Sequence, residues 1–119
     1  MIQAALWVFL GGGLGSLVRW VFGQVSKGLW SSPLAAVLGT LAANFVACLL
    51  LGYFLSKQPQ ERTQWFWAVG FCGGFSTFST FSNEVFAWLR AGDYAWALGY
   101  VAVSILGGLM GLVLGARWA

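Results

Sequence analysis

The sequence predicts an all-α membrane protein that forms a single domain over residues 1–119. Hydrophobic residues make up 60% of the chain and charged residues only 8%, whereas an average soluble domain has roughly 25% charged residues. So few charged residues cannot cover a water-facing surface. The apolar residues fall into four stretches separated by short polar breaks, so we expect four transmembrane helices in each chain.

Each apolar stretch is long enough to cross a bilayer as a helix. The stretches run over residues 3–25, 33–55, 65–89 and 94–116. A little over 20 residues at ~1.5 Å each gives about 33 Å, enough for a hydrocarbon core of ~30 Å. Tryptophans lie mostly near the ends of these stretches, as in the aromatic belts of membrane proteins: Trp30, Trp65, Trp67, Trp88, Trp96 and Trp118.

Small residues recur at helical spacing in three of the stretches. Such stripes let helix backbones approach closely in lipid and associate by packing. We expect them to make contacts both within and between chains. The residues are Gly11 and Gly15 in the first stretch, Ala35, Gly39, Ala43 and Ala47 in the second, and Gly107, Gly111 and Gly115 in the fourth.

Basic residues are divided almost evenly between the two sides of the predicted membrane. The side that holds both termini has Lys57, Arg62 and Arg117. The other side has Lys27 and Arg90, joined by Arg19 if its long side chain reaches that end. The positive-inside rule then gives no preferred orientation. A chain that inserts both ways permits an antiparallel homodimer of dual topology.

The composition excludes several classes of function. Histidine is absent, and the only acids are Glu61, Glu84 and Asp93, which removes His-based triads, zinc sites with His ligands and most acid–base pairs. An enzyme is therefore the least supported class. The basic residues are scattered singly, unlike those of a nucleic-acid-binding face. Cys48 and Cys72 lie in apolar runs and are expected to be free thiols.

Residues 70–84 form the most unusual run, with two adjacent glycines and then five hydroxyl residues within seven positions. Gly73 and Gly74 each weaken a helix by about 1 kcal/mol relative to Ala. Backbone can unwind at membrane depth only if the freed groups are buried in protein, solvated or bound to an ion. We predict a break in the third helix near these glycines, with carbonyl groups able to bind Na⁺. The alternative is a kink filled by a neighbouring helix.

Aromatic and hydroxyl side chains alternate after the glycines. Phe75, Phe78 and Phe81 recur every three residues and predict an aromatic face on one helix. Ser79, Thr80 and Asn83 occupy the adjoining face. Positive ring edges and hydroxyl donors both favour a small anion. The alternative is that these rings are simply core.

The other stretches contain few polar side chains. Asn44 can donate two hydrogen bonds, and Thr40 lies one turn before it; such groups either join helices or face a watery path. Arg19 is the only cation well inside a stretch. Three roles are open to its side chain: snorkelling to the membrane surface, pairing with carbonyl groups at a helix end, or making the local electrostatic field favourable to anions. Glu84, in the third stretch, is an isolated acid, a costly and often functional feature; the alternative is that it turns into the interfacial water. Ser104 is the only serine or threonine inside the fourth stretch.

Three strings of residues in this order resemble the Fluc (CrcB) family of fluoride-specific ion channels over nearly the whole chain. They are residues 11–15 with Arg19-Trp20, residues 39–44 and residues 70–82. The resemblance implies a dual-topology antiparallel homodimer with two fluoride pores in a bacterial inner membrane. It also implies passive export: weakly acidic HF enters the cell and ionises, and the channel lets F⁻ leave.

The resemblance also implies roles for individual residues. Main-chain carbonyls of Gly73 and Ser76 from both subunits would hold a structural Na⁺ on the two-fold axis. Ser76 stands where the family often has Thr, which matters little for a backbone ligand. Phe78, Phe81 and Asn44 would line the pores. The remaining residues assigned to the fluoride pathway are Thr40, Ser79, Thr80, Glu84 and Ser104.

Two other classes remain as alternatives. A proton-coupled small multidrug exporter also has four spans, but it needs a carboxylate in its first span, where this chain has Arg19. Glu84 is then the remaining candidate for a coupling carboxylate. A non-transporting assembly subunit would explain the stripes of small residues but not the polar and aromatic faces beside a broken helix.

Overall fold

The computed structural model describes residues 1–29, 32 and 34–119, and all of its regular structure is helical, with no strand among these residues. The predicted all-α class is confirmed. We number the helices in chain order: α1 (Ile2–Leu29), α2 (Leu34–Ser56), α3 (residues 61–75), α4 (Phe78–Arg90) and α5 (Tyr94–Trp118).

Among the described residues, three helices are long and apolar enough to cross a membrane: α1, α2 and α5, with 28, 23 and 25 residues. They match the first, second and fourth predicted stretches and make the chain a multi-pass membrane protein. The start of the second stretch at Pro33 and the belt residue Trp30 lie outside the described residues.

The third predicted stretch is divided between two helices. Helix α3 consists of the segments Glu61–Thr63, Gln64–Phe71 and Cys72–Phe75, of which the second has the wider turns of a π-helix. Ser76 and Thr77 are extended, with φ/ψ of −78°/153° and −147°/116°, and α4 begins directly after them.

The extended residues follow the glycines at which the sequence predicts the break. Gly73 and Gly74 are both helical, so the predicted position is wrong by two residues. The reason is packing, because Gly74 presses against α1 so closely that a methyl group there would overlap the carbonyl oxygen of Gly12. Gly74 thus serves a close helix contact, and the chain leaves the helix only beyond it.

Glycines set the closest helix contacts within the chain. A methyl group at Gly15 would overlap the carbonyl oxygen of Phe71, which holds α1 against α3. A methyl group at Gly115 would overlap the carbonyl oxygen of Leu49, which holds α5 against α2. The expected packing within the chain is therefore confirmed, whereas Gly107 has open space where a side chain would stand.

The core lies where α3 packs against α1 and α2. Phe75, only 1% exposed, meets the ring of Phe22 edge-on at a centroid distance of 5.0 Å. Ala43, Ala47 and Phe71 complete the buried cluster around it, together with Cys72. Both cysteines are free thiols, as predicted.

The turns at the other helix ends have recognisable causes. The Ser32 hydroxyl accepts a 3.0 Å hydrogen bond from the Leu34 amide, which caps the start of α2. Gly92, with φ of +79°, ends α4 in the left-handed conformation. The Asp93 amide then donates to the Trp88 carbonyl at 2.9 Å, which closes the turn before α5.

Replacing Gly115 by Ala is expected to destabilise the protein by about 1–3 kcal/mol, since the added methyl group forces α5 away from α2. Gly99→Ala is the matched control on the same helix, because nothing lies within 4 Å of a Cβ built at Gly99. Unfolding of the detergent-solubilised protein by a denaturant titration measures the difference. Equal stability of the two variants would contradict this account of the α2–α5 contact.

Candidate polar site at the helix interruption

Asn44 of α2 reaches the interruption between α3 and α4. Its Oδ1 accepts a hydrogen bond of 2.9 Å from the backbone amide of Thr77. Because a backbone N–H can only donate, this contact fixes which end of the carboxamide faces Thr77. The Nδ2 group, with two N–H donors, points away from that bond. The predicted polar residue of the second stretch thus supports extended backbone and keeps two donors available.

Three hydroxyl groups gather at the start of α4. Thr77 Oγ1 accepts from the Thr80 amide at 3.3 Å and so caps the helix. The same oxygen lies 3.2 Å from Ser79 Oγ and 3.3 Å from Thr80 Oγ1. The first turn of a helix carries partial positive charge. Ser79 and Thr80 therefore lie together where hydroxyl donors and the positive end of the helix dipole coincide.

Helix α3 ends in carbonyl groups, some of which already have partners. Arg19 Nε donates to the Gly74 carbonyl at 3.2 Å, so the cation pairs with a carbonyl end, one of its three predicted alternatives. The amide and hydroxyl of Ser76 both reach the Cys72 carbonyl, at 3.0 and 2.9 Å. Gly73 is exposed and Ser76 half-buried.

Glu84 joins three helices. Its Oε1 accepts from the Thr40 hydroxyl at 2.5 Å, and its Oε2 accepts from the Tyr100 hydroxyl at 3.3 Å. The Thr40 hydroxyl also lies 3.1 Å from the Ala36 carbonyl. The structure therefore brings together two residues that the sequence selected separately, Thr40 and Glu84.

Tyr100 is a site residue that the sequence reasoning missed. Its ring lies 5.0 Å from Phe81 and 5.5 Å from Trp88, so its apolar body packs while its hydroxyl binds Glu84. The available signal was its position, because a tyrosine inside an apolar stretch usually needs a partner for its hydroxyl. Ser104 follows one turn later on the same side of α5. Its Oγ is buried and finds no partner among the described residues.

The aromatic residues do not form one face, which corrects the prediction. Phe78 and Phe81 lie on α4 with their centroids 6.0 Å apart. Phe75 is the last residue of α3 and is buried in the core, because the extended residues turn the chain between Phe75 and Phe78. Phe78 is 80% exposed on the single chain.

Five of these polar residues line one small cavity of about 180 Å³, which we call the polar cavity, whereas Asn44, Ser79 and Ser104 do not line it. Its wall includes Arg19, Thr40, Thr77, Thr80 and Glu84. It is bounded by α1, α2 and α4. The cavity therefore connects the helix interruption with the Thr40–Glu84 pair.

Fold and site together define a multi-pass helical membrane protein with a polar cavity beside interrupted helical backbone. Residues 6–116 match the family model described as CrcB-like protein, Camphor Resistance (CrcB). The chain belongs to this family, and the resemblance found in the sequence is confirmed.

Relatives of similar length carry one name, Fluoride-specific ion channel FluC. The relative from Escherichia coli O1:K1 / APEC is 41% identical over 121 residues, which cover 97% of this chain and 93% of the relative. The relative from Ignicoccus hospitalis is 36% identical, with 96% and 93% covered. The relative from Gloeothece citriformis is 39% identical, with 92% and 91% covered. These are names of ion channels, and the prediction that the chain is not an enzyme is confirmed.

Replacing Asn44 by Ala is expected to cost about 1 kcal/mol of stability, because the half-buried amide of Thr77 would lose its hydrogen-bond partner. Gln3→Ala is the matched control, since the exposed Gln3 side chain makes no hydrogen bond within the described residues. Denaturant titration in detergent compares the two variants. A loss as small for Asn44→Ala as for Gln3→Ala would show that Asn44 does not support the interruption.

Proposed function

We propose that this protein is a passive, fluoride-selective ion channel that lets F⁻ leave the bacterial cytoplasm across the inner membrane and so lowers fluoride toxicity. The observation that carries the proposal is the group of neutral donors at the helix interruption, beside two phenylalanine rings on α4. The names of relatives about 40% identical over nearly the full chain support the same ion.

The chemistry of the donors suits fluoride. The ion is small and strongly hydrated, so a narrow pore must replace its water with well-placed donors. The Nδ2 group of Asn44, the hydroxyls of Ser79 and Thr80, and the positive ring edges of Phe78 and Phe81 are such donors. All of them are neutral, and an ion held by neutral donors can also leave. Thr40, Glu84 and Ser104 extend the proposed pathway.

The exposed polar groups of α4 support a homodimer. We infer that α3 and α4 together cross the membrane as one broken span. Ser79, Thr80 and Asn83 are exposed on the single chain, and lipid offers such groups no hydrogen-bond partners. A second copy of the chain would cover them. The balanced basic residues suit an antiparallel arrangement of dual topology, with two pores for each homodimer.

The end of α3 fits a structural Na⁺. Hard cations of this kind bind oxygen, and in membrane proteins Na⁺ is held by unwound carbonyls and the C-terminal ends of half-helices. Gly73 and Ser76 lie at such an end, whose carbonyls carry partial negative charge. Nothing lies within 4 Å of a Cβ built at Gly73, so the carbonyl groups of a second chain have room to approach. Gly73 and Ser76 of both subunits would then supply the ligands.

A specific observation disfavours the proton-coupled exporter. Both carboxylate oxygens of Glu84 already accept hydrogen bonds, from Thr40 and from Tyr100. A coupling carboxylate must instead open to a cationic substrate, and α1 offers no acid at all. An assembly subunit would not need the donors gathered at Thr77. The channel is the reading that uses all of these contacts.

Liposomes containing the purified protein are expected to release fluoride rapidly while retaining chloride, as followed by a fluoride electrode and a chloride electrode in parallel. Asn44→Asp is expected to abolish this release, because it replaces two donors by an acceptor that repels an anion. The Asp oxygen can still accept from Thr77, so assembly should persist on size exclusion. Chloride release at the fluoride rate, or no release from assembled wild-type protein, would overturn the proposal.

Replacing Na⁺ throughout by a bulky organic cation is expected to weaken both fluoride release and the association of two chains, because the carbonyl groups would lose their shared ligand. Release and the fraction of dimer are measured on the same preparations, and readdition of Na⁺ should restore both. Protein that is indifferent to the exchange would show that the end of α3 is a packing feature only.

A further inference from the structure

Lys27 lines the polar cavity but is not part of the pathway assigned so far. It lies in the last turn of α1, is exposed, and follows Arg19 by eight residues, about 12 Å along the helix at ~1.5 Å per residue. Gln24, also exposed, lines the cavity between them. Lys27 and Gln24 of α1 are thus exposed, whereas Thr40 of α2 in the same wall is buried.

The charges of the cavity have different surroundings. Arg19 is engaged by the Gly74 carbonyl, and the Glu84 carboxylate is held by Thr40 and Tyr100. Lys27 is the exposed member of the three and has the most freedom to interact with an arriving ion. An anion that approaches from water therefore meets a positive charge before it comes near the Glu84 carboxylate, which would repel it.

The volume of the cavity allows the ion to enter with water molecules still bound. About 180 Å³ holds roughly six water molecules at ~30 Å³ each. An ion accompanied by several water molecules fits this space. The step at which protein donors replace water then lies deeper, at the interruption beside Asn44, and the outer end of the cavity has only to attract the anion.

We propose that Lys27 is an electrostatic steering residue, which raises the concentration of hydrated fluoride in the polar cavity before the ion loses its water. This inference rests on the proposed fluoride channel and adds a residue that sets its rate of entry. A single charge about 12 Å from the ion, in water, corresponds to an effect of about twofold. The effect is screened by salt, because the Debye length falls from ~30 Å at about 0.01 M to ~3 Å at about 1 M.

The competing role for Lys27 is structural. A lysine in the last turn of a helix stabilises it through the helix dipole, and a basic residue at a membrane boundary can bind lipid phosphate. These roles predict a change in stability or in lipid dependence. Neither role predicts a lower rate of fluoride entry in a Lys27 variant at low salt together with a normal rate at high salt.

The test measures initial fluoride release from liposomes of neutral lipid, at low and at high concentration of an impermeant salt. Lys27→Gln is expected to lower the rate about twofold and Lys27→Glu about fourfold at low salt, with Lys27→Arg unchanged. All three should match the wild type at high salt. Lys57→Gln is the matched control, because Lys57 is an exposed lysine in the turn after α2 that does not line the cavity.

Each outcome decides the question. Equal rates for wild type and Lys27→Gln at low salt would overturn the steering role while leaving the channel standing. An equal loss at both salt concentrations, or a matching loss in Lys57→Gln, would also overturn it. Wild-type liposomes that release no fluoride would remove the proposed function and this inference together, and this result is distinct from the others.

Discussion

The structure depends on one constraint, which is that backbone leaving a helix inside a membrane must find its hydrogen-bond partners within the protein. In the proposed broken span of α3 and α4, Ser76 and Thr77 are such backbone. Asn44 accepts from the freed amide on one side of the interruption, and Arg19 donates to a freed carbonyl on the other. Two polar side chains from the middle of α1 and α2, Arg19 and Asn44, therefore stabilise the interruption.

The small residues serve the same constraint. A carboxamide or guanidinium group reaches the interruption only if α1 and α2 lie close to α3, and larger side chains would hold the helices apart. Gly15 lets α1 meet the backbone of α3 directly, one turn before Arg19. Ala43 and Ala47, on either side of Asn44, are buried against the core. Packing and polar function thus share the same few turns of helix.

The sequence predicted the helices well because each span must satisfy length and hydropathy by itself. It also selected Asn44, Thr40 and Glu84, since an isolated polar group in lipid is informative without knowledge of its neighbours. It misplaced the break by two residues and grouped Phe75 with the rings of α4. The position of the break and the separation of Phe75 from α4 depend on how closely α1 packs against Gly74. This packing involves two helices and cannot be predicted from the sequence of one helix alone. Tyr100 was missed although the hydroxyl of a tyrosine inside an apolar stretch is informative in the same way; only its partner, Glu84 on another helix, could not be predicted. The Na⁺ site and the dimer involve a second chain and stay predictions.

The distribution of charge along the polar cavity suits the two opposing demands of the proposed anion pathway. Attraction from water is strongest with a full positive charge, but a bare charge deep in a low-dielectric site would hold the ion too tightly for it to leave. In this chain the inner cation, Arg19, is bound to backbone, and the deep donors are a carboxamide and hydroxyls. Lys27 is exposed in the last turn of α1, where water and salt weaken its attraction for the anion. In the proposed pathway, Lys27 thus attracts the anion, and the neutral donors allow it to leave. These donors stand at the interruption, which also depends on Asn44 for its stability.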